Sequence, residues 1–285
     1  MTVLLRSRAE LREWQAQTHG PRGVVLTMGA LHAGHLALVD AARTEVPNGT
    51  VLVTVFVNPA QFGPNEDFEK YPRTLEDDVA LCEAHGVDAV FAPTVDEVYP
   101  VDEVVRDYDP GPKAVELEGE ARPGHFAGVL KVVSRLLQLT NADVTCFGEK
   151  DYQQLVVVRQ LNALEPALAH VRFVGVPTMR DPDGLALSSR NRYLTDLERE
   201  QALAIPRCIE RVQQACTAGV SAQSAALAGF TELAQAPGVT VDYVTVRAQD
   251  LGPAPGAGIG RVLIAAKVGR TRLIDNAAVV LGGGA

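Results

Sequence analysis

Short apolar runs alternate with helical stretches along most of this 285-residue chain, and this alternation constrains its fold more than any other feature. Apolar runs without polar alternation are typical of strands that are covered on both faces. Such strands are predicted at residues 23–26, 51–57, 89–91, 144–147 and 171–176. Helices between them are predicted at residues 36–43, 74–85, 126–139 and 152–164. This βαβ pattern predicts an α/β fold with a parallel sheet, whose ligands bind beyond the carboxyl ends of the strands.

The pattern changes after a loop at residues 178–184. Two helices are predicted beyond it, at residues 196–217 and 221–235, followed by strands at 239–247, 261–268 and 271–274. This order is typical of a small α+β domain. We therefore expect two domains, at residues 1–187 and 188–285.

The charge balance limits the classes of partner. The chain carries 26 basic and 35 acidic residues, a net charge of −9. This charge opposes non-specific attraction to nucleic acid or to anionic lipid, so neither is expected as a partner. Any site for an anion must therefore be built from local positive groups.

Cysteine usage and the lack of a long apolar segment indicate the compartment. The four cysteines form no C-x-x-C pair, which argues against a disulfide framework or a zinc site. No segment offers about 20 unbroken apolar residues, and charged residues come early in the chain, so neither a membrane span nor a targeting segment is expected. A cytoplasmic protein is predicted.

The segment Thr27-Met28-Gly29-Ala30-Leu31-His32-Ala33-Gly34-His35 joins the first predicted strand to a helix. It places His32 and His35 at the mouth of that helix. A helix N-terminus has unpaired N–H groups and partial positive charge, which favours a phosphate group there. Nucleotide chemistry is therefore the leading hypothesis; the alternative is that the two histidines only face each other across one turn.

Amide side chains follow the next predicted strand. Asn58 and Gln61 lie on a loop that Pro59 and Pro64 make rigid, and each amide can both donate and accept a hydrogen bond. Such groups suit a hydroxy acid better than a phosphate. The alternative is that both amides satisfy the backbone of their own loop.

A lysine follows the strand predicted at residues 144–147. Gly148 forms the turn, Lys150 is a compact cation that can offset charge on a phosphoryl group, and Gln154 lies about one turn further along the helix. A lone lysine is more often solvated at the surface, and only its position after a strand favours the functional interpretation.

Two more segments carry cations. Ser188, Ser189 and Arg190 combine hydroxyl groups with a guanidinium that could hold a polyphosphate; the alternative is a serine-capped helix start. Arg122 and His125 lie on a Pro/Gly segment that could move over a site.

Two adjacent carboxylates open the helix predicted at residues 74–85. Thr74 with Asp77 predicts the cap of this helix. Asp77 and Asp78 are interpreted first as a solvated helix face and second as a magnesium contact.

Five segments together resemble the pantothenate synthetase family, in the family's order. They are residues 27–35, 56–62, 122–126, 147–154 and 187–191. H-x-G-H by itself is shared across nucleotidyltransferases and class I aminoacyl-tRNA synthetases, whereas the five segments together are specific. Leu26 departs from the family, which usually has proline before the Thr-Met-Gly turn.

The resemblance implies a Rossmann-like parallel sheet of the nucleotidyltransferase superfamily with a smaller C-terminal α+β domain. It implies that ATP and (R)-pantoate give pantoyl adenylate and pyrophosphate, and that β-alanine then gives pantothenate and AMP. It also implies Mg²⁺, whose protein ligands the sequence does not identify, and a homodimer. The sequence identifies no base for the amine of β-alanine.

By the same resemblance, His32 and His35 grip the phosphates, with His35 preferred as proton donor, while Lys150 and Arg190 balance the polyphosphate charge. Gln61 and Gln154 hold pantoate with help from Asn58. The residues implied for ATP binding are Met28, Gly29, Ala30, Leu31, His32, Ala33, Gly34, His35, Gly148, Glu149, Lys150, Asp151, Met179, Leu187, Ser188, Ser189 and Arg190.

Two other functions compete with this one. A different adenylyltransferase would join the nucleotide to another small acid or phosphate ester, but Asn58, Gln61 and Gln154 argue against it. A non-catalytic nucleotide-binding module would need the phosphate grip without the substrate amides. The net charge of −9 disfavours an RNA-binding role.

Overall fold

The computed structural model describes residues 1–63 and 68–282, so Pro64 lies outside the described residues. The chain divides into two compact units. The first unit comprises Met1–Gly148 and Gln153–Pro177, and the second comprises Glu149–Tyr152 and the chain from Thr178 onward. The domain bounds 1–187 and 188–285 stay a prediction.

The first unit contains a parallel sheet of six strands, which confirms the predicted α/β fold. Its strands are β1 (Val3–Leu5), β2 (Arg22–Thr27), β3 (Thr50–Val55), β4 (Ala89–Phe91), β5 (Val144–Gly148) and β6 (Arg172–Val176). Their order across the sheet is β1-β4-β3-β2-β5-β6. Sequence reasoning missed β1, because three residues beside charged ones carry too little apolar pattern.

The order of strands reverses at β2. From β2 the chain moves outward through β3 and β4, and it then returns to place β5 on the other side of β2, with Gly23 opposite Val144. In sheets of this kind the carboxyl ends of the strands at the reversal form the ligand crevice. The loops after β2, β3 and β5 therefore start at the edge where a ligand is expected.

Helices cover this sheet. They are α1 (Arg8–Gln17), α2 (Ala33–Glu45), α3 (Leu75–Ala84), α4 (Val95–Val98), α5 (Glu118–Ala121), α6 (His125–Thr140), α7 (Tyr152–Val158) and α8 (Leu161–Leu164). The helix predicted at 152–164 is thus divided in two, and the amide of Gln160 at the break donates to the carbonyl oxygen of Val157. Helix α3 begins after Thr74 as predicted, but the Thr74 hydroxyl makes no cap bond and donates to Asp78 instead.

The second unit contains three helices and an antiparallel sheet, which confirms the predicted α+β arrangement. Its elements are α9 (Asp196–Ala202), α10 (Ala204–Thr217), α11 (Ala222–Ala234), β7 (Val239–Ala248), β8 (Gly258–Val268) and β9 (Thr271–Leu281). The helix predicted at 196–217 is divided at Leu203, because Pro206 has no N–H to continue the first helix into the second. Strand β9 extends beyond the predicted end at residue 274, through the polar pair Asp275 and Asn276.

The four cysteines are free thiols and are buried. Burial raises the pKa of Cys82, Cys146 and Cys208 to about 12, so these thiols stay protonated and unreactive. Within residues 1–63 and 68–282, no helix is both long and apolar enough to cross a membrane.

Candidate active site

His32 and His35 cap helix α2 for each other. His32 is the N-cap residue, and its Nδ1 accepts a hydrogen bond from the backbone N–H of Gly34 at 3.1 Å. Nδ1 of His35 accepts from the backbone N–H of His32 at 3.3 Å, and the two ring centroids lie 4.1 Å apart. Because Nδ1 of each ring accepts, a neutral ring carries its proton on Nε2. The two imidazoles thus accept hydrogen bonds from N–H groups that an anion would otherwise bind. In each neutral ring the remaining nitrogen, Nε2, is a donor.

Gly34 makes this arrangement possible. A Cβ atom at position 34 would lie 2.9 Å from Cε1 of His32, closer than real Cβ contacts come. A side chain at position 34 would therefore force the His32 ring to shift from the position in which it caps this N–H. This contact explains why a glycine lies between the two histidines of the H-x-G-H motif.

Asp78 holds the turn that leads into these histidines. It is 1% exposed, and its two carboxylate oxygens accept from the backbone N–H groups of Ala30 at 3.0 Å and Leu31 at 2.7 Å. Ala30 has a φ of 52°, a left-handed conformation that costs energy for a residue with a side chain. The interpretation of Asp78 as a solvated residue was wrong, whereas its neighbour Asp77 is exposed. Since backbone N–H groups occupy both oxygens, Asp78 is also a poor magnesium contact.

Asp78→Asn is expected to destabilise this turn, because one acceptor oxygen becomes an N–H₂ group that faces another N–H donor. A buried donor left unsatisfied costs about 1–3 kcal/mol, which should appear as a lower free energy of unfolding in denaturant titrations. Asp77→Asn removes the same charge one residue away at the surface and should leave stability unchanged. Equal stability of the two variants would contradict this role of Asp78.

Asn58, at the carboxyl end of β3, is a structural amide with every hydrogen-bonding position used. It is 1% exposed, its Oδ1 accepts from the backbone N–H of Ala60 and from the Tyr99 hydroxyl, and its Nδ2 donates to the Gly128 carbonyl and to Oε1 of Gln61. These bonds therefore largely fit the alternative interpretation, in which the Asn58 amide satisfies the polar groups of its own loop. Any effect of Asn58 on a ligand would pass through its hydrogen bond to Gln61.

Gln61 connects this loop with the turn after β2. Its Oε1 accepts from Asn58, and its Nε2 lies 3.0 Å from Sδ of Met28. A thioether is a weak acceptor, so Gln61 presents an N–H₂ group beside the turn that ends in the two histidines. The structure thus brings together two of the sequence motifs within the first unit.

The Arg122 segment packs under the same loop. The Arg122 guanidinium lies 2.9 Å from Nε2 of His125, and Nδ1 of His125 lies 3.0 Å from the carbonyl oxygen of Gln61. Since arginine only donates, Nε2 of His125 accepts and Nδ1 donates. A Cβ at Gly128 would lie 2.1 Å from the Ala60 carbonyl oxygen, so α6 approaches the loop as closely as it does only because residue 128 is a glycine.

Two neighbouring glutamines on α7 differ in their surroundings. Gln153 is 4% exposed and bonds the backbone of Lys113, Glu116 and Glu118. Gln154 is half-buried, and its side chain makes no hydrogen bond with the described part of the chain. Gln153 is therefore a structural residue, and Gln154 is the one of the pair that is available to a ligand.

In the second unit, the strand β9 holds the backbone around Lys150. Nδ2 of Asn276 donates to the carbonyl oxygens of Glu149 at 2.8 Å and Lys150 at 2.9 Å. Arg261 donates to Glu149 and to Oδ1 of Asn276, and its guanidinium lies 3.7 Å from the ring centroid of Tyr152. The Lys150 side chain is only 17% exposed, so it is no ordinary surface lysine.

The segments that contain Met179 and Leu187 lie side by side. The N–H of Leu187 donates to the Met179 carbonyl at 2.9 Å, and Arg180 makes a two-pronged ion pair with Asp275 at 2.7 and 2.9 Å. This pairing is of the strong, geometrically specific kind. Two residues implied for nucleotide binding are therefore neighbours, and β9 anchors them.

Ser188 and Arg190 show the capped helix start that was the alternative interpretation. Oγ of Ser188 accepts from the backbone N–H of Arg190 at 3.2 Å. Arg190 is exposed, and it forms no ion pair with any residue that the structure describes. Its guanidinium is therefore available to an anion.

Sequence reasoning misinterpreted Asp78 and missed several other residues that position these groups. The missed residues are Tyr99, Arg180, Arg261, Asp275 and Asn276. One available signal was the polar pair at 275–276, which interrupts an otherwise apolar strand. Among residues 1–63 and 68–282, no group of three or more His, Cys, Asp or Glu side chains could hold a metal ion.

Comparison with known proteins assigns the chain to a family. The family model of pantoate-beta-alanine ligases matches residues 3–278, which include all five segments identified in the sequence. The chain belongs to this family. It is accordingly a ligase, and the predicted resemblance is confirmed.

Individual relatives also align with nearly the whole chain. The pantothenate synthetase of Salinispora arenicola is 49% identical over 282 residues, which are 99% of each chain. The crystal structure of the pantothenate synthetase of Thermus thermophilus has a TM-score of 0.88 at 44% identity and covers 97% of this chain and 99% of its own. The pantoate-beta-alanine ligase of Francisella tularensis, solved in complex with beta-gamma ATP and beta-alanine, has a TM-score of 0.78 at 31% identity, with 97% of each chain covered.

Proposed function

We propose that this ligase uses ATP to join (R)-pantoate to β-alanine through a pantoyl adenylate. The observation that carries this proposal is the N–H₂ group of Gln61, held beside the turn that ends in His32 and His35. A donor for an organic acid thereby lies beside the turn that leads to the proposed donors for phosphate. The complex of the Francisella tularensis relative with beta-gamma ATP and beta-alanine supports both nucleotide and amine as substrates.

In the first step, a carboxylate oxygen of pantoate forms a bond to the α-phosphorus, and the bond from that phosphorus to the bridging oxygen of pyrophosphate breaks. Like charges approach each other, so the rate depends on donors and cations that stabilise the crowded phosphorus centre. Nε2–H of His32 and His35 donates to phosphate oxygens, with His35 as the preferred proton donor. Lys150 and Arg190 supply positive charge to the polyphosphate.

The remaining groups of the nucleotide site position ATP. By the family resemblance, ATP binding is assigned to the segment from Met28 to Gly34, to the turn from Gly148 to Asp151, and to Met179, Leu187, Ser188 and Ser189. Magnesium is proposed to enter with the substrate, as the ATP complex, since this ion is usually held largely by nucleotide phosphates.

In the second step, the amine nitrogen of β-alanine forms a bond to the carboxyl carbon, and the bond from that carbon to the oxygen of AMP breaks. Pantothenate and AMP leave, and the proton that the attacking amine loses on forming the amide passes to solvent. Gln61 and Gln154 hold the pantoyl group, and Asn58 acts by holding Gln61.

The test of this function is the formation of AMP and pyrophosphate from ATP and pantoate, with and without β-alanine. We expect exchange of labelled pyrophosphate into ATP with pantoate alone, and AMP in step with pantothenate when β-alanine is added. Nucleotide binding without exchange would indicate a non-catalytic module. Exchange with a different small acid but not with pantoate would indicate another adenylyltransferase.

Gln61→Ala is expected to weaken the binding of pantoate and to preserve the binding of ATP. Loss of a hydrogen bond to a charged group is worth about 1.5–3 kcal/mol, so the Kd for pantoate should rise by about one to two orders of magnitude. Titration calorimetry measures both ligands on the same protein. Weaker ATP binding with unchanged pantoate binding would overturn the assignment of this pocket.

We also propose that the protein is a cytoplasmic homodimer, on the basis of the family resemblance. Light scattering at micromolar concentration should give about twice the 30.4 kDa mass of one chain. A monomer across the accessible concentration range would contradict the dimer without affecting the proposed reaction.

A further inference from the structure

We propose that Tyr99 is a positioning residue that helps to fix which end of the Gln61 amide faces the substrate acid, and this role rests on the proposed function. Tyr99 follows the last residue of α4. Its hydroxyl donates to Oδ1 of Asn58 at 2.9 Å. It acts on substrate only through Asn58 and Gln61.

The surroundings of Asn58 allow one orientation of its amide. Oδ1 receives two donors, the Tyr99 hydroxyl and the Ala60 N–H at 3.2 Å. Nδ2 faces two acceptors, the Gly128 carbonyl at 3.3 Å and Oε1 of Gln61 at 3.2 Å. Turning the amide by 180° would set N–H₂ against an N–H and the oxygen against two oxygens. In a buried site, such unsatisfied contacts are costly.

Tyr99 is a reliable donor at this position. Burial raises the pKa of its hydroxyl, so the proton stays on the oxygen in any ordinary assay buffer. The ring is held by an edge-on contact with Phe56, at 6.2 Å between centroids, and by the Lys131 ammonium at 5.8 Å from the ring centroid. These two contacts restrict the orientation of the ring and therefore the direction of its hydroxyl group.

The orientation of Asn58 passes directly to Gln61. Because Nδ2 of Asn58 donates to Oε1 of Gln61, the opposite end of the Gln61 amide is its N–H₂ group, which lies beside Met28. The loop therefore offers a donor. A donor selects a carboxylate or hydroxyl oxygen, and it disfavours a ligand that presents an N–H at the same place.

Tyr99→Phe removes one oxygen atom and retains the ring. We expect the KM for pantoate to rise about three- to tenfold, the range for one lost neutral hydrogen bond, while the KM for ATP stays unchanged. The matched control is Tyr108→Phe. Tyr108 is 7% exposed, and its hydroxyl bonds Ser134 and Glu165, each at 2.7 Å, so the control loses a hydrogen-bonded tyrosine hydroxyl that has no contact with Asn58.

A double-mutant cycle with Gln61→Ala separates positioning from general destabilisation. If Tyr99 acts through Gln61, adding Tyr99→Phe to Gln61→Ala should change the KM for pantoate no further. Additive effects, a rise shared by the KM of ATP, or the same rise in Tyr108→Phe would overturn the role of Tyr99. Wild-type protein without pantoate-dependent exchange would overturn the proposed function and this role together, whereas active wild type with an unchanged Tyr99→Phe would overturn this role alone.

Discussion

Replacing His35 by asparagine should slow the pantoate-dependent exchange of pyrophosphate into ATP by about 10²–10³-fold, the usual effect of losing one transition-state donor. Asparagine places its side-chain oxygen close to the position of Nδ1. It therefore keeps the bond from the His32 N–H that caps α2. It has no group at the position of Nε2, where the proposed donor to phosphate lies.

This substitution separates the two roles of His35, which a change to alanine would remove together. Thermal melting of His35→Asn should remain near that of the wild type, because the cap is kept. His35→Gln places an amide nitrogen near the position of Nε2 and should recover part of the rate, although it loses the cap. Near-normal exchange in His35→Asn would make His35 a capping residue only.

Replacing Lys150 by methionine should also slow the exchange by about 10²–10³-fold, because the polyphosphate would lose a cation in a site that is partly shielded from water. The Lys150 side chain is 17% exposed, and Nζ lies 3.9 Å from Oδ1 of Asp151, too far for a tight ion pair. Asn276 fixes the Lys150 carbonyl, so the backbone should keep its course in the variant. Single-turnover formation of adenylate measures the same step directly.

Lys267→Met is the matched control for Lys150→Met. Lys267 is exposed on β8, so its replacement makes the same change in net charge and side-chain chemistry without touching the proposed site. Exchange in this variant should equal that of the wild type. Equal rates for the two variants, whether both normal or both reduced, would exclude a specific role for Lys150.

Strands and helices with a strong local pattern of apolar residues were predicted correctly from the sequence. Elements without such a pattern were misplaced. Strand β4 was predicted at residues 89–91 as observed, since Ala89, Val90 and Phe91 are all buried. Strand β9 was predicted to end at residue 274, because buried Asp275 and Asn276 resemble the start of a loop. Their side chains are satisfied by Arg180, Arg261 and the backbone at 149–150, partners that only the fold brings near.

The candidate site likewise contains residues that the sequence identified and residues that only the structure placed. The motifs with His32, Gln61 and Lys150 could be found from residue types that follow predicted strands, because the carboxyl ends of parallel strands are where ligands bind. Asp78 was interpreted as a surface residue, since two adjacent acids at a helix start are usually solvated. It lies buried because the turn at Ala30 and Leu31 folds over it.

The amino-acid sequence alone determined the α/β fold, the order of the motifs and the family, because these depend on local periodicity and on residue types at short spacing. Only the tertiary structure decided which side chains and turns are held in a fixed orientation, and which hydrogen-bond partners hold them. Asp78 binds a turn 47 and 48 residues away, Tyr99 binds Asn58 from 41 residues away, and Asn276 holds Lys150 from 126 residues away. Hydrogen bonds between residues so far apart in the chain produce no periodic pattern in the sequence, because the pairing depends on how the fold brings loops together.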